Sequence, residues 1–202
     1  NVDVVPSITQ TAEGKIWVAF VSLRTGNYDI WYKTLMVHDV AITSVTTSMT
    51  SVYEGETVTI LVEAANEGTG SETFTVTVYA NAELLNFTSV TLASGGTRTL
   101  TFSWNTTNVT LGSYTISAQA STVSGETNTT DNTFIDGIVN VKTLGDVNGD
   151  GTVDIYDALL VRAAYGSKRG DPNWNPEADL NRDDTVDVYD ALIVRSRFGK
   201  PQ

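Results

Sequence analysis

The chain has 202 residues, with 24 Asp and Glu against 12 Lys and Arg, one His and no Cys, for a formal net charge of −12. So acidic a chain is a poor partner for nucleic acid, because phosphate recognition needs Lys and Arg, and no nucleic-acid binding is expected. The lack of Cys excludes disulfides, a thiolate zinc site and a cysteine nucleophile, one His excludes a multi-histidine metal centre, and the apolar runs fall far below the about 18 residues that span a membrane.

Residues 1–36 are expected to carry three short strands, around Ser7–Thr9, over Lys15–Ser22 and over Tyr28–Thr34. Turn signals at Glu13-Gly14 and Thr25-Gly26-Asn27 part them. The succession Pro6-Ser7-Ile8, Gly14-Lys15-Ile16-Trp17-Val18 and Gly26-Asn27-Tyr28-Asp29-Ile30-Trp31-Tyr32-Lys33 resembles the end of a sialidase-like β-propeller blade. A blade has four strands and only three are legible, so the alternative is that they extend the domain that follows. On the propeller reading, Asn1 is a truncation point within a larger protein.

Residues 37–142 alternate with period two, and 24 Thr fall between Asp39 and Val141. Val58, Ile60, Val62 and Ala64 share one face of a predicted strand. Phe74, Val76, Val78 and Ala80 do so in the next, with Thr73, Thr75 and Thr77 opposite. Leu100, Phe102 and Trp104, and then Tyr114, Ile116 and Ala118, repeat the pattern. Turns at Glu54-Gly55, Glu67-Gly68, Ser94-Gly95-Gly96, Leu111-Gly112 and Ser124-Gly125 divide about seven strands, which predicts an antiparallel β-sandwich. Thr suits the wet face because it is β-branched and polar. The ordered motifs His38-Asp39-Val40-Ala41-Ile42, Tyr53-Glu54-Gly55-Glu56-Thr57, Ala65-Asn66-Glu67-Gly68-Thr69-Gly70 and Glu126-Thr127-Asn128-Thr129-Thr130-Asp131-Asn132 resemble the CARDB family of immunoglobulin-like sandwiches. That resemblance implies a seven-stranded spacer or adhesion module without catalytic residues. Glu63, Glu67 and Glu83 are read as sandwich surface rather than as a glycosidase pair, and His38 as an ordinary domain-start residue.

The last 61 residues hold 8 basic and 11 acidic side chains, and the acids recur at fixed spacing. Residues 146–166 and 179–199 match at 13 of 21 positions with an offset of 33 residues, so the region is two copies of one unit. In each copy, oxygen-bearing side chains occupy the first, third, fifth, ninth and twelfth places of a twelve-residue loop. These are Asp146, Asn148, Asp150, Asp154 and Asp157, and then Asp179, Asn181, Asp183, Asp187 and Asp190. Such spacing suits Ca²⁺, a hard ion that takes six to eight oxygens. Thr152 and Thr185 at the seventh place are expected to offer a backbone carbonyl, and Val153 and Val186 to anchor each loop to the core. Gly151 permits the sharp turn at the sixth place, and Asp184 replaces it in the second copy, where some weakening is expected. Helices are predicted over Asp157–Tyr165 and Asp190–Phe198, started by the twelfth-place acids and stopped by Gly166 and Gly199.

A loop followed by a helix, with no helix before it and Asp at the twelfth place, resembles the type I dockerin domain over residues 144–200. The resemblance implies two Ca²⁺ ions and a cohesin-domain partner. It places partner recognition on Ile155, Tyr156 and Arg162, and on Val188, Tyr189 and Arg195. These pairs are bulkier and more apolar than the hydroxylated residues frequent in clostridial members.

The chain therefore reads as mainly β with a small α C-terminal module: a strand remnant (1–36), an antiparallel Ig-like sandwich (37–142) and a duplicated calcium loop–helix domain (143–202). The expected function is non-catalytic, calcium-dependent docking by a secreted or cell-surface protein that is monomeric on its own. One alternative makes it the C-terminal part of a polysaccharide-degrading hydrolase or peptidase. Another makes it an adhesion protein whose calcium serves stability alone.

Overall fold

A computed structural model describes residues 4–10, 16–22 and 29–199 of the chain. The chain divides into two compact units, residues 1–46, 60–102 and 115–137 in one, and residues 47–59, 103–114 and 138–202 in the other. Strands β1 (Val4–Gln10), β2 (Ile16–Ser22) and β3 (Asp29–Leu35) form an antiparallel sheet of their own, in the order β1-β2-β3. The β2–β3 register runs from Ile16 opposite Leu35 to Ser22 opposite Asp29. The turns expected at Glu13-Gly14 and Thr25-Gly26-Asn27 lie outside the described residues.

The sandwich follows as β4 (Val40–Thr47), β5 (Ser51–Tyr53), β6 (Thr57–Asn66), β7 (Glu72–Ala80), β8 (Glu83–Leu92), β9 (Thr97–Asn105), β10 (Gly112–Ala120) and β11 (Thr133–Lys142). One sheet has the order β5-β11-β10-β7-β8 and the other β4-β6-β9. Alternation predicted the core: Val58, Ile60, Val62, Ala64, Phe74, Val76, Val78, Ala80, Leu100, Phe102, Trp104, Ile116 and Ala118 are all buried. Each strand can hide these residues only by presenting one face to the opposite sheet. Tyr114 stays half-buried, its ring edge-on to Trp104 with centroids 5.2 Å apart. The outer Thr face pairs with itself, as at Thr73 and Thr91, whose hydroxyls lie 2.8 Å apart.

Two details depart from a seven-stranded antiparallel sandwich. The eighth strand, β5, has only three residues, and it pairs with β11 in parallel, from Ser51 opposite Asn140 to Tyr53 opposite Lys142. The turn after β5 is pinned by fully buried Thr106, whose hydroxyl donates to the Glu56 carbonyl at 2.9 Å and accepts from the Gly55 amide at 3.1 Å. At the β6–β7 turn only glycine fits position 68, because a Cβ there would lie 2.5 Å from the Val37 carbonyl.

The C-terminal module has two helices, α1 (Ile155–Ala164) and α2 (Val188–Arg197). Its core is Val147, Val153, Val161, Ala164, Ala178, Leu180, Val186 and Val194, with Tyr53, Leu144 and Trp174 packed against it. The two copies are laced reciprocally. Gly166, after α1, donates to the Val186 carbonyl of the second loop at 2.8 Å, and Gly199, after α2, to the Val153 carbonyl of the first at 3.0 Å. The apolar eighth-place residues thus anchor their loops as predicted, each also receiving the other copy's helix exit.

Candidate metal centre

Both helices begin two residues before the predicted start, and this changes which acid does what. The N-caps are the ninth-place residues Asp154 and Asp187, whose side chains accept from the amides of Tyr156 at 2.8 Å and Tyr189 at 2.7 Å. Asp157 and Asp190 sit at the third helical position and reach back to the N-cap amides at 2.8 Å, closing a capping box in each copy. The correction has a simple cause. The free amides of a helix's first turn lie before the twelfth place, so the acid that precedes them caps best.

Asp157 and Asp190 are fully buried. One carboxylate oxygen of Asp157 accepts from the amides of Val147 at 2.8 Å and Asn148 at 3.1 Å, and Asp190 does the same with Leu180 and Asn181 at 2.8 and 3.2 Å. These acids therefore tie loop start to helix start across each unit. The first-place acids organise the loop turn. Asp146 accepts from Gly149, Asp150 and Gly151, and Asp179 from Asp183 and Asp184, at 2.8–3.1 Å. Burial raises the Asp179 carboxyl above its ordinary range, against the lowering effect of the two amides it accepts from. Asp150 is lowered, chiefly by the Thr152 hydroxyl and amide that donate to it.

Each loop offers four carboxylates, one Asn amide oxygen and the backbone carbonyl of Thr152 or Thr185, with no sulfur or imidazole. That all-oxygen set fits a hard divalent ion such as Ca²⁺, which would be held by the first-, third-, fifth-, seventh-, ninth- and twelfth-place residues. When bound, the ion supplies positive charge against four like-charged side chains. The carboxylates themselves are turned toward backbone donors, and Asn148 and Asn181 donate to Asp150 and Asp183 at 2.8 Å. Among the described residues, a trio of acids with oxygens within 4.8 Å of one another occurs in the sandwich, at Asp39, Glu67 and Asp131, and in neither loop.

The backbone winds alike in the two loops although their sequences differ. The fourth and sixth places have positive φ in both: Gly149 at 76° and Gly151 at 88°, Arg182 at 60° and Asp184 at 64°. Asp184 therefore does adopt the conformation that Gly151 takes freely, and its carboxylate meets Arg169 Nη1 at 3.3 Å.

The expected partner residues stand outside the core. Ile155 is 54% exposed, Tyr156 63%, Val188 49% and Tyr189 62%, and Arg162 and Arg195 are exposed on the same helices. Leu159 and Leu192, exposed at 46% and 47%, join them four residues after Ile155 and Val188, a helical spacing that was available in the sequence.

Residues 144–199 match the family model of the dockerin type I domain, and residues 35–136 match that of CARDB. No curated protein matches the chain. Among solved structures, the chain is similar to the CARDB domain of a Pyrococcus furiosus protein, crystallised in complex with di-metal ions, at 24% identity. That match covers 52% of this chain and 89% of the other, with a TM-score of 0.45. A solution structure of that domain matches at 26% identity over 53% of this chain and 97% of the other, with a TM-score of 0.45. A domain of a putative cell surface protein from Methanosarcina acetivorans matches at 23% identity over 52% and 92%, with a TM-score of 0.42. The chain belongs to the CARDB family, and its Ig-like CARDB domain is followed by a dockerin type I domain.

Proposed function

We propose that the chain is a calcium-dependent docking module that binds a cohesin-type partner, with the CARDB sandwich as spacer, outside the cell or at its surface. Two Ca²⁺ ions occupy the loops, one held by Asp146, Asn148, Asp150, Thr152, Asp154 and Asp157, the other by Asp179, Asn181, Asp183, Thr185, Asp187 and Asp190. The observation that carries this reading is the pair of exposed apolar stripes, each starting at the helix end of a loop: Ile155, Tyr156 and Leu159, and Val188, Tyr189 and Leu192. A free helix start gains nothing from large exposed side chains, and Tyr with flanking Arg is the composition of interface anchors. Arg162 and Arg195 supply the charged rim. The module is monomeric by itself, and the separation of the β1-β2-β3 sheet from both sandwich sheets supports reading these strands as the end of a propeller rather than as an extension of the sandwich.

Calorimetric titration of the full chain with purified type I cohesin domains tests this. Binding is expected in calcium and lost in EDTA. It is also expected to be lost when Tyr156→Ser and Tyr189→Ser are combined. Binding that survives EDTA, or that survives the double substitution, overturns the proposal.

A further inference from the structure

The two loops reach one backbone path by different means. Left-handed conformation at the fourth and sixth places costs glycine nothing and costs an L-residue steric strain. In the first loop both places are glycine, and a Cβ at Gly149 or Gly151 would meet nothing within 4 Å. In the second loop they are Arg182 and Asp184, and both side chains are held from outside the loop. The Arg182 guanidinium lies 4.8 Å from the Tyr53 ring centroid. Its Nη2 is 3.2 Å from Glu56 Oε2 and its Nη1 3.4 Å from Glu56 Oε1 and 3.4 Å from the Met49 sulfur. Glu56 is itself fixed, since Oε2 accepts from the Tyr53 amide at 2.9 Å.

We propose that Arg182 is a positioning residue of the second calcium loop. Glu56 and Tyr53, at the turn after β5, brace it in the left-handed conformation that sets the backbone path between the ligand positions Asn181 and Asp183. The inference rests on the reading that the loops hold calcium. Arg182 stands between two ligand positions, so its φ sets the direction of both side chains. Asp179 shares one cavity of about 200 Å³ with Arg169, Arg182 and Asp184, so the first-place acid and the two left-handed residues line the same space. Glu56 has a second effect. An unpaired guanidinium beside the loop repels a cation, and the bidentate carboxylate offsets that charge. The first loop needs neither device.

The test is a calcium titration of the full chain, followed by NMR at the Gly151 amide for the first loop and the Asp184 amide for the second, with a competing chelator. Glu56→Gln is expected to weaken the second loop about tenfold, the equilibrium equivalent of one residue's left-handed strain, and to leave the first unchanged. Arg182→Gly is expected to retain the second loop's affinity, and adding Glu56→Gln to it is expected to change nothing further. An unchanged second loop in Glu56→Gln, equal weakening of both loops, or a Glu56 effect that persists beside Arg182→Gly overturns the brace. Calcium shifts at neither amide of the unsubstituted chain would remove the calcium reading and the brace together. Calcium binding without Glu56 dependence removes the brace alone. The Gly151 response within each variant reports that the module is folded.

Discussion

The sandwich and the dockerin domain solve the same problem with different interiors. The sandwich closes on hydrocarbon, with Val58, Ile60, Val62, Val76, Val78 and Ile116 fully hidden between two sheets. Among the described residues, the dockerin domain has eight buried apolar ones, and beside them it buries Asp146, Asp157, Asp179 and Asp190. A module of under 60 residues buries too little apolar surface to be robust alone, and small domains of this size use metals or disulfides as staples. With no Cys in the chain, the carboxylates occupy the place a disulfide would take. The difference implies that the sandwich holds its stability without a bound cation, whereas the other domain is conditional on what neutralises its acids.

The sharpest way to break that comparison is in the sandwich core. Ile116→Ala leaves a cavity between fully buried neighbours and is expected to cost about 2–5 kcal/mol. Its thermal transition is expected to shift equally in calcium and in EDTA. A loss that calcium repairs would mean that the sandwich leans on the metal-binding module, and the contrast between the two interiors would fall.

The buried acid comes next. Asp157→Ala orphans the amides of Val147, Asn148 and Asp154, and is expected to cost about 3 kcal/mol, the upper end for stranded buried donors. It also removes a proposed calcium ligand. Calcium at about 100 times its Kd adds about 2.7 kcal/mol to a one-site domain, and the variant is expected to lose the share of that increment owed to the first loop. Far-ultraviolet circular dichroism of the helices, with and without calcium, measures both. If the helical signal of the unsubstituted chain is indifferent to EDTA, the acids are stabilised by their amide donors alone.

Much of this contrast was legible in the sequence because both interiors are periodic. Period two put Phe74, Val76, Val78 and Ala80 on one face, and an offset of 33 residues put the acids of two loops in register. What escaped lacks a local signal. Strand β8 (Glu83–Leu92) lies at the edge of its sheet, and its burial shows no clean alternation until Val90 and Leu92. The three residues of β5 are too few for a pattern, and their parallel partner is about 90 residues away. The helix starts were misplaced because Asp154 and Asp157 are both plausible caps, and only the backbone decides between them. The Arg182–Glu56 contact spans 126 residues and repeats nothing in the first loop, where the same place is Gly149. Periodic features survive reading one residue at a time, and contacts that differ between the copies do not.

The smallest effect concerns acids in the sandwich that have no obvious staple. Burial, and then Asp131, Glu67 and Glu126, raise the Asp39 carboxyl above its ordinary value, and its Oδ1 is enclosed without a donor. A raised carboxyl means that the folded state holds a proton the unfolded chain has released. The stabilisation from that proton is full below the unfolded pKa of about 3.9 and is lost as pH rises through the folded value. Asp39→Asn keeps the shape and removes the charge. It is therefore expected to match the unsubstituted chain at low pH and to exceed it near neutrality by about 0.5 kcal/mol, the scale of a surface substitution. Melting the two chains side by side between acid and neutral pH, with EDTA present so that the calcium loops do not contribute, reads the difference. Curves that diverge in acid and converge near neutral pH would reverse the sign. Asp39 would then belong with the dockerin acids, as a charge the fold is built to keep.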